Sequence, residues 1–125
     1  MPLPLVRSVD SPILIPVAPL RREDLEKFRN APFEKMIKFA VDIRAGRIAL
    51  GGEMHADGEA ELLRAGSGQA DIWGGNLWPW DDPPRIEFIS LINIRPSAEN
   101  MGMDIARDEI RRAALDVLRR WVELP

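Results

Sequence analysis

Three ionisable side chains at alternate positions, Glu53, His55 and Asp57, form the first group in this sequence with the residue types for chemistry. On one continuous strand all three would point to the same face, where they could hold a divalent cation or exchange protons. A structural role explains the group better, because Asp57 is placed to cap a helix and His55, the only histidine, to hold backbone groups. We therefore predict no metal site, and name these three residues as the ligands if one exists.

A second polar group consists of Asn93, Arg95 and Asn100, which follow a strand-like run. The guanidinium of Arg95 is a planar set of donors suited to carboxylate or phosphate, and Asn93 can add an amide on the same face. Asn76, after a Gly-Gly pair, is a further candidate. The alternative is that Arg95 pairs with a structural carboxylate while the asparagines fix turns. The group predicts a site for a small anionic ligand or a peptide carboxylate.

Trp73, Trp78 and Trp80 form a third group, which could stack on sugar rings or bases. Clustered tryptophans also serve as core and rim packing. We expect Trp73 to be buried, and Trp78 and Trp80, beside a turn, to be partly exposed. An exposed pair of this kind could also seal a homo-oligomeric interface.

Composition limits the possible partners and location. The 125 residues carry a net charge of −3 with both signs interspersed, so no basic surface for nucleic acid stands out. The chain has no cysteine, which excludes disulfides and thiolate chemistry. The apolar N-terminus is interrupted by prolines and Asp10, which does not fit a signal peptide or a membrane span. We predict a soluble cytoplasmic protein.

The strand that would position the Arg95 group is predicted from Ile86 to Ile94. Its even positions are nearly all apolar, and its odd positions are polar at both ends, which is typical of a central strand packed on a core. Pro96 cannot extend a ladder, so the strand should end at Arg95. The polar group would then lie at the end of the central strand, on a rigid support.

A hairpin over residues 36 to 55 is predicted to carry the first group. Alternation on both arms suggests a register that places Ile43 opposite Ile48 and Lys38 opposite Glu53. After it, Asp57 would cap a helix over residues 58 to 65. The remaining predicted elements are strands over residues 13 to 17, 71 to 78 and 101 to 105, and helices over residues 21 to 30 and 106 to 123.

These elements predict one α+β domain over residues 1 to 125, with residues 1 to 12 as a loosely ordered arm. A mainly antiparallel sheet of four to six strands would pack against a long C-terminal helix and one or two shorter helices.

The strings VDIRAGRIALGGEMHAD, IWGGNLWP and IEFISLINIRPSAEN resemble a small prokaryotic family known only as a domain of unknown function. The likeness covers roughly residues 13 to 122, and WGxNL and SLINIRPS are its most specific parts. It implies a compact single domain and carries over no catalytic residue or cofactor.

Besides an oligomeric structural protein with Trp78 and Trp80 at its interface, two functions remain open from the sequence. The first is a binding or interaction module with a polar pocket near Asn93, Arg95 and His55. The second is a hydrolase that uses Glu53 or His55 as a base, with or without a divalent metal. An enzyme requires His55, Glu53 and Arg95 to meet in one cavity, whereas residues that only hold the fold would be buried singly against backbone groups.

Overall fold

The computed structural model describes residues 11 to 124. Almost all of the predicted N-terminal arm, residues 1 to 12, therefore lies outside the described residues. Within the described part of the chain, no helix is long and apolar enough to cross a membrane.

A five-stranded sheet in the order β1-β3-β2-β4-β5, antiparallel at every pairing, forms the centre of the fold. Two α-helices pack on it, which confirms the predicted α+β class. The strands are β1 (Ile13–Leu14), β2 (Ile37–Asp42), β3 (Arg47–Gly51), β4 (Ile72–Trp78) and β5 (Arg85–Glu87). The α-helices are α1 (His55–Arg64) and α2 (Asp108–Trp121), and short 3-10 helices span Arg22–Phe28, Gln69–Asp71, Leu91–Asn93 and Pro96–Ala98.

The central strand was predicted wrongly. The centre of the sheet is β2, whereas the segment predicted as central contributes only β5, three residues at an edge. The chain leaves the ladder because the Ser90 hydroxyl accepts a hydrogen bond from the Ile92 N–H at 3.2 Å and caps the 3-10 turn Leu91–Asn93. The apolar alternation there reflects packing of an irregular segment, not strand pairing.

The side chain of Asn93 makes hydrogen bonds to β4 in place of the missing strand. Its Oδ1 accepts from the Gly74 N–H at 2.8 Å, and its Nδ2 donates to the Gly74 carbonyl at 2.9 Å. These are the two bonds that a neighbouring strand would make with Gly74 in β4. The sheet edge is thereby satisfied beyond the end of β5.

The predicted hairpin is present, but its register was wrong by two residues. Val41 lies opposite Ile48, and Asp42 lies opposite Arg47. The loop is longer than expected because the Asp42 carboxylate accepts from the N–H groups of Arg44 and Ala45, at 2.9 Å each, and stabilises a four-residue connection.

The change of register also changes the partner of Lys38. It lies opposite Asn76 of β4 rather than Glu53. Glu53 falls after β3 has ended, and its carboxylate accepts from the Ser11 hydroxyl at 3.1 Å. The predicted cross-strand ion pair is therefore not formed.

Helix α1 begins at His55, and its cap residue Met54 makes no side-chain cap bond. The prediction that Asp57 caps this helix was wrong, because Asp57 lies inside the first turn. The predicted end of α1 is confirmed, since Gly66 adopts a positive φ of 105° just beyond the helix. The early start places His55 on the helix end that faces the sheet.

The hydrophobic cores on the two faces of the sheet differ in size. The α2 face carries the larger core, with Phe39, Val41, Trp73 and Leu118 among its buried residues. The α1 face is shallower because small side chains, Ala40 and Ala49, contact Gly58 of α1, and the helix backbone lies close to the strands. Side chains at the start of α1 consequently reach the polar end of the sheet.

Other local predictions agree with the structure. Leu25 and Phe28 of the first helical segment are buried, although the segment is a 3-10 helix. β1 lies at an edge and β4 occupies residues 72 to 78, as expected. The predicted strand over residues 101 to 105 was wrong: it is reduced to one bridge between Asp104 and Ile89.

Candidate functional site

A row of three polar side chains crosses the sheet on its α1 face. Lys38 of β2 lies opposite Asn76 of β4, which in turn lies opposite Glu87 of β5. His55, the first residue of α1, lies next to this row. The sheet register and the early start of α1 together bring these four residues to one place.

Hydrogen bonds join Asn76 of this row to His55 and to Glu87. The Nε2 of His55 lies 2.8 Å from the Gly75 carbonyl and 2.9 Å from the Oδ1 of Asn76. Since both are acceptors, this network assigns the proton of the neutral ring to Nε2. Asn76 then donates its Nδ2 to the Glu87 carboxylate at 2.9 Å. The charge of Glu87 is thus engaged inside the row.

Burial, aided by the nearby positive charge of Lys38, lowers the pKa of His55, while the bonds to Gly75 and Asn76 act in the opposite direction. The folded protein therefore holds His55 neutral near pH 7.

The lowered pKa of His55 predicts a pH-dependent stability. As the pH falls below about 6.5, the unfolded chain takes up a proton that the folded chain resists, so the free energy of unfolding should decrease until the folded-state pKa is passed. Urea unfolding at pH 7.5 and pH 5.5 measures this. The decrease should be smaller in His55→Gln, although the raised pKa of Glu59 acts with the opposite sign in both proteins. If the free energy of unfolding depended on pH equally in the two proteins, the lowered pKa of His55 would be contradicted.

A cavity of about 370 Å³ lies beside Lys38 and His55. We call it the methionine groove; it is lined by Lys38, Met54, His55, Leu91, Ile92 and Met103, among others. Three of its apolar side chains are strongly exposed: Met54 by 56%, Leu91 by 69% and Met103 by 44%. The groove thus combines an apolar rim with a polar floor.

Arg95 lies in a different cavity, of about 450 Å³, which we call the Arg95 cavity. Its guanidinium donates to the carbonyls of Ala70, at 3.3 Å, and Ile72. It also lies 3.6 Å from the Glu59 carboxylate and 4.7 Å above the Trp73 ring. Burial lowers the pKa of Arg95, with Glu59 and then Asp71 acting against it. The carboxylate partner of Arg95 is therefore Glu59 of α1.

Asn93 and Asn100 are buried, and their amides bind the main chain. Asn93 also donates to the Met103 carbonyl at 3.0 Å. Asn100 donates to the carbonyls of Asn93 and Asp104, at 2.7 and 2.8 Å, and accepts from Ala106 N–H at 2.9 Å. Both side chains organise the loops around the two cavities, and a ligand-binding role for them stays a prediction.

The Glu53, His55 and Asp57 group does not lie on one strand. Glu53 follows β3, whereas His55 and Asp57 belong to the first turn of α1. In the described part of the chain, no group of three or more histidine, aspartate or glutamate side chains could hold a metal ion.

The tryptophans lie as expected: Trp73 is buried, and Trp78 and Trp80 are half-buried. Arg85 stacks over Trp78 at 4.0 Å, and Arg29 over Trp80 at 4.8 Å. An interface formed by this pair stays a prediction.

Sequence reasoning named His55 and Asn76 but missed the residues around them, Lys38, Met54 and Met103. The available signal was weak: methionines in polar segments, as in Met-Gly-Met at residues 101 to 103, have no obvious core to fill. Only the tertiary contacts bring Met54 and Met103 to one cavity.

Comparison with known proteins gives a family but no activity. No curated protein and no protein of solved structure matches this chain. A family model described as a protein of unknown function, DUF5674, matches residues 14 to 121. This range covers most of the chain and confirms the resemblance seen in the sequence. The chain therefore belongs to the DUF5674 family.

Proposed function

We propose that this protein is a binding module that accepts a short segment of another polypeptide in the methionine groove. The segment would place an apolar side chain among Met54, Leu91 and Met103, and a carboxylate beside Lys38. The observation that carries the proposal is the concentration of exposed apolar side chains around one cavity.

Large exposed apolar side chains are unevenly distributed over the described residues. Three of seven line the methionine groove. Contiguous apolar surface of this kind is characteristic of interaction sites, whereas scattered single residues need no explanation. The other four are Val17, Leu63, Ile94 and Met101.

The methionines favour a polypeptide segment over a single rigid ligand. Met54 and Met103 are unbranched and polarisable, so they can adapt to apolar side chains of different shapes. His55, which also lines the groove, is held in a fixed position by its bonds to Gly75 and Asn76 and offers a polar group beside the methionines.

Lys38 is the group best placed to receive a carboxylate. Its ammonium lies 5.2 Å from the Phe33 ring and forms no ion pair with any described residue. Glu87, the acidic member of the row, already accepts from Asn76. Arg95 is a poorer candidate because its donors serve two carbonyls and its charge faces Glu59.

The geometry supports binding more than hydrolysis. His55 lines the methionine groove, Arg95 lines the Arg95 cavity, and the Glu53 carboxylate accepts from Ser11. The three residues required by the hydrolase hypothesis therefore do not share a cavity, and each is held by its own partners.

Substituting Leu91→Asp should remove binding at the groove without unfolding the protein. The exposed aspartate would place a charge on the apolar rim, so peptides selected from a random library against the wild type should bind at least about tenfold more weakly. Fluorescence polarisation with labelled peptides measures the affinity, and thermal unfolding checks the fold.

Leu63→Asp is the matched control, since Leu63 is 41% exposed in α1 and does not line the groove. It should bind the selected peptides like the wild type. Equal loss in both variants, or none in Leu91→Asp, would contradict the proposal.

A further inference from the structure

We propose that the Arg95 cavity is a binding site for an alkylammonium group, with the Glu59 carboxylate as its acceptor. This cavity shares Leu91 and Ile92 with the methionine groove, but its charged residues are different ones, and the inference does not depend on the function proposed for the groove. The ligand proposed for this cavity carries a positive charge, whereas the sequence predicted an anion at Arg95.

The Glu59 carboxylate accepts no hydrogen bond from any described residue. The side chain is only 13% exposed, yet its one described polar contact is Arg95 at 3.6 Å, too long for a hydrogen bond. Side-chain polar atoms with little exposure ordinarily have at least one hydrogen-bond partner. Since the carboxylate lines the cavity, a ligand is placed to supply the missing donor.

The charges around the cavity favour a cation over an anion. Arg95, also 13% exposed, directs N–H groups towards the carbonyls of Ala70 and Ile72 and away from a ligand role. Two carboxylates, Glu59 and Asp71, act on this single guanidinium. Of the two carboxylates only Glu59 lines the cavity, so Glu59 is the charged acceptor that a ligand can reach, and a carboxylate attracts an ammonium.

The remaining walls suit an aliphatic chain attached to that ammonium. Leu91, Ile92, Ile94 and Pro96 contribute apolar surface to the cavity. A volume of about 450 Å³ is large enough for a chain of several methylene groups. The same chemistry occurs in free alkylamines and in a lysine side chain.

Burial raises the pKa of Glu59, and Arg95 acts against this increase. An ammonium binds the ionised form, so its affinity should fall with decreasing pH, starting at a higher pH than an ordinary glutamate would set. This dependence is a second signature of the same contact.

Titration of the wild-type protein with n-pentylammonium, n-pentanoate and n-pentanol at constant ionic strength tests whether the site binds a positive, a negative or a neutral head group. Amide chemical shifts of Gln69, Ala70 and Ala98 report on the cavity walls. We expect a saturable change with pentylammonium alone. Saturation with pentanoate, or with none of the three probes, would overturn the proposal, whatever happens at the methionine groove.

The Glu59→Gln variant tests the acceptor. It keeps the shape of the side chain and removes the charge, so pentylammonium should bind at least about tenfold more weakly, as expected for a lost charge-assisted bond. Glu26→Gln, an exposed pair partner of Arg29, is the matched control and should bind like the wild type. Unchanged affinity in Glu59→Gln would overturn the proposal, and the wild-type titration stands even if this variant folds poorly.

A blocked lysine, Nα-acetyl-lysine methylamide, distinguishes the two sources of the ammonium. Stronger saturation with blocked lysine than with pentylammonium would assign the site to a lysine side chain of a polypeptide. Stronger saturation with pentylammonium would assign it to a free amine. Each result supports an alkylammonium site, and failure of both overturns it.

Discussion

Substituting Asn93→Ala should reduce the free energy of unfolding by about 4 kcal/mol, since each buried polar group left without its partner costs about 1–3 kcal/mol. Asn93 is fully buried and serves the N–H and the carbonyl of Gly74 and the carbonyl of Met103. All three groups would lose this partner at once. Against a typical total of about 5–15 kcal/mol, the variant would be marginally folded.

Urea unfolding of Asn93→Ala and of an exposed control, Gln69→Ala, measures this effect. Asn93→Asp separates hydrogen bonding from shape, because it keeps the volume but places an acceptor against the carbonyls of Gly74 and Met103. It should be at least as destabilised as Asn93→Ala. A loss below about 1 kcal/mol in Asn93→Ala, comparable with a surface substitution, would contradict the role of Asn93 as a substitute strand.

Substituting Gly75→Ala should cost about 3 kcal/mol, at the upper end of the range for overpacking a core. A Cβ on Gly75 would lie 2.6 Å from the Glu87 carbonyl and would also overlap the ring of Phe39. The ring cannot move freely, because it packs edge-on against Phe88 with centroids 6.3 Å apart. The clash with a backbone oxygen would force β4 and β5 apart.

Gly102→Ala is the control for Gly75→Ala, since no atom lies within 4 Å of a Cβ at Gly102. Its free energy of unfolding should stay within about 0.5 kcal/mol of the wild type. Equal losses in the two variants would show that backbone flexibility, not the close approach of the strands, explains the glycine at position 75.

The parts of the fold that were predicted correctly are specified by local sequence. The hairpin arms follow from alternation, and α2 follows from apolar residues at helical spacing. Their boundaries differ from the prediction by a few residues. The register was missed because it depends on one side chain, Asp42, that lengthens the loop.

The segment from residue 86 to residue 94 could not be predicted from its pattern. Its alternation fits a strand, but Asn93 bonds to Gly74, 19 positions away, and the chain turns at Ser90 instead. A side chain that replaces a strand leaves no periodic signal. Composition and spacing therefore gave a wrong prediction for this segment, which lies between the two cavities.

The candidate site was only partly visible in the sequence. His55 and Asn76 were named for different reasons, and only the early start of α1 and the register of β4 bring them together. Lys38 was assigned to Glu53 and instead faces Asn76. Glu59, the acceptor proposed above, was not among the residues named from the sequence, because its position beside Arg95 is a property of tertiary packing.

The most direct test of the binding function is a titration of methyl-labelled methionines with N-acetyl-leucine, which carries one apolar side chain and one carboxylate. Met54 and Met103 line the groove, and Met36 does not. We predict that the methyl signals of Met54 and Met103 shift along a common saturation curve while that of Met36 stays unchanged, and that Lys38→Gln weakens the binding. Unshifted groove signals, or equal shifts of all three, would contradict the proposed binding module.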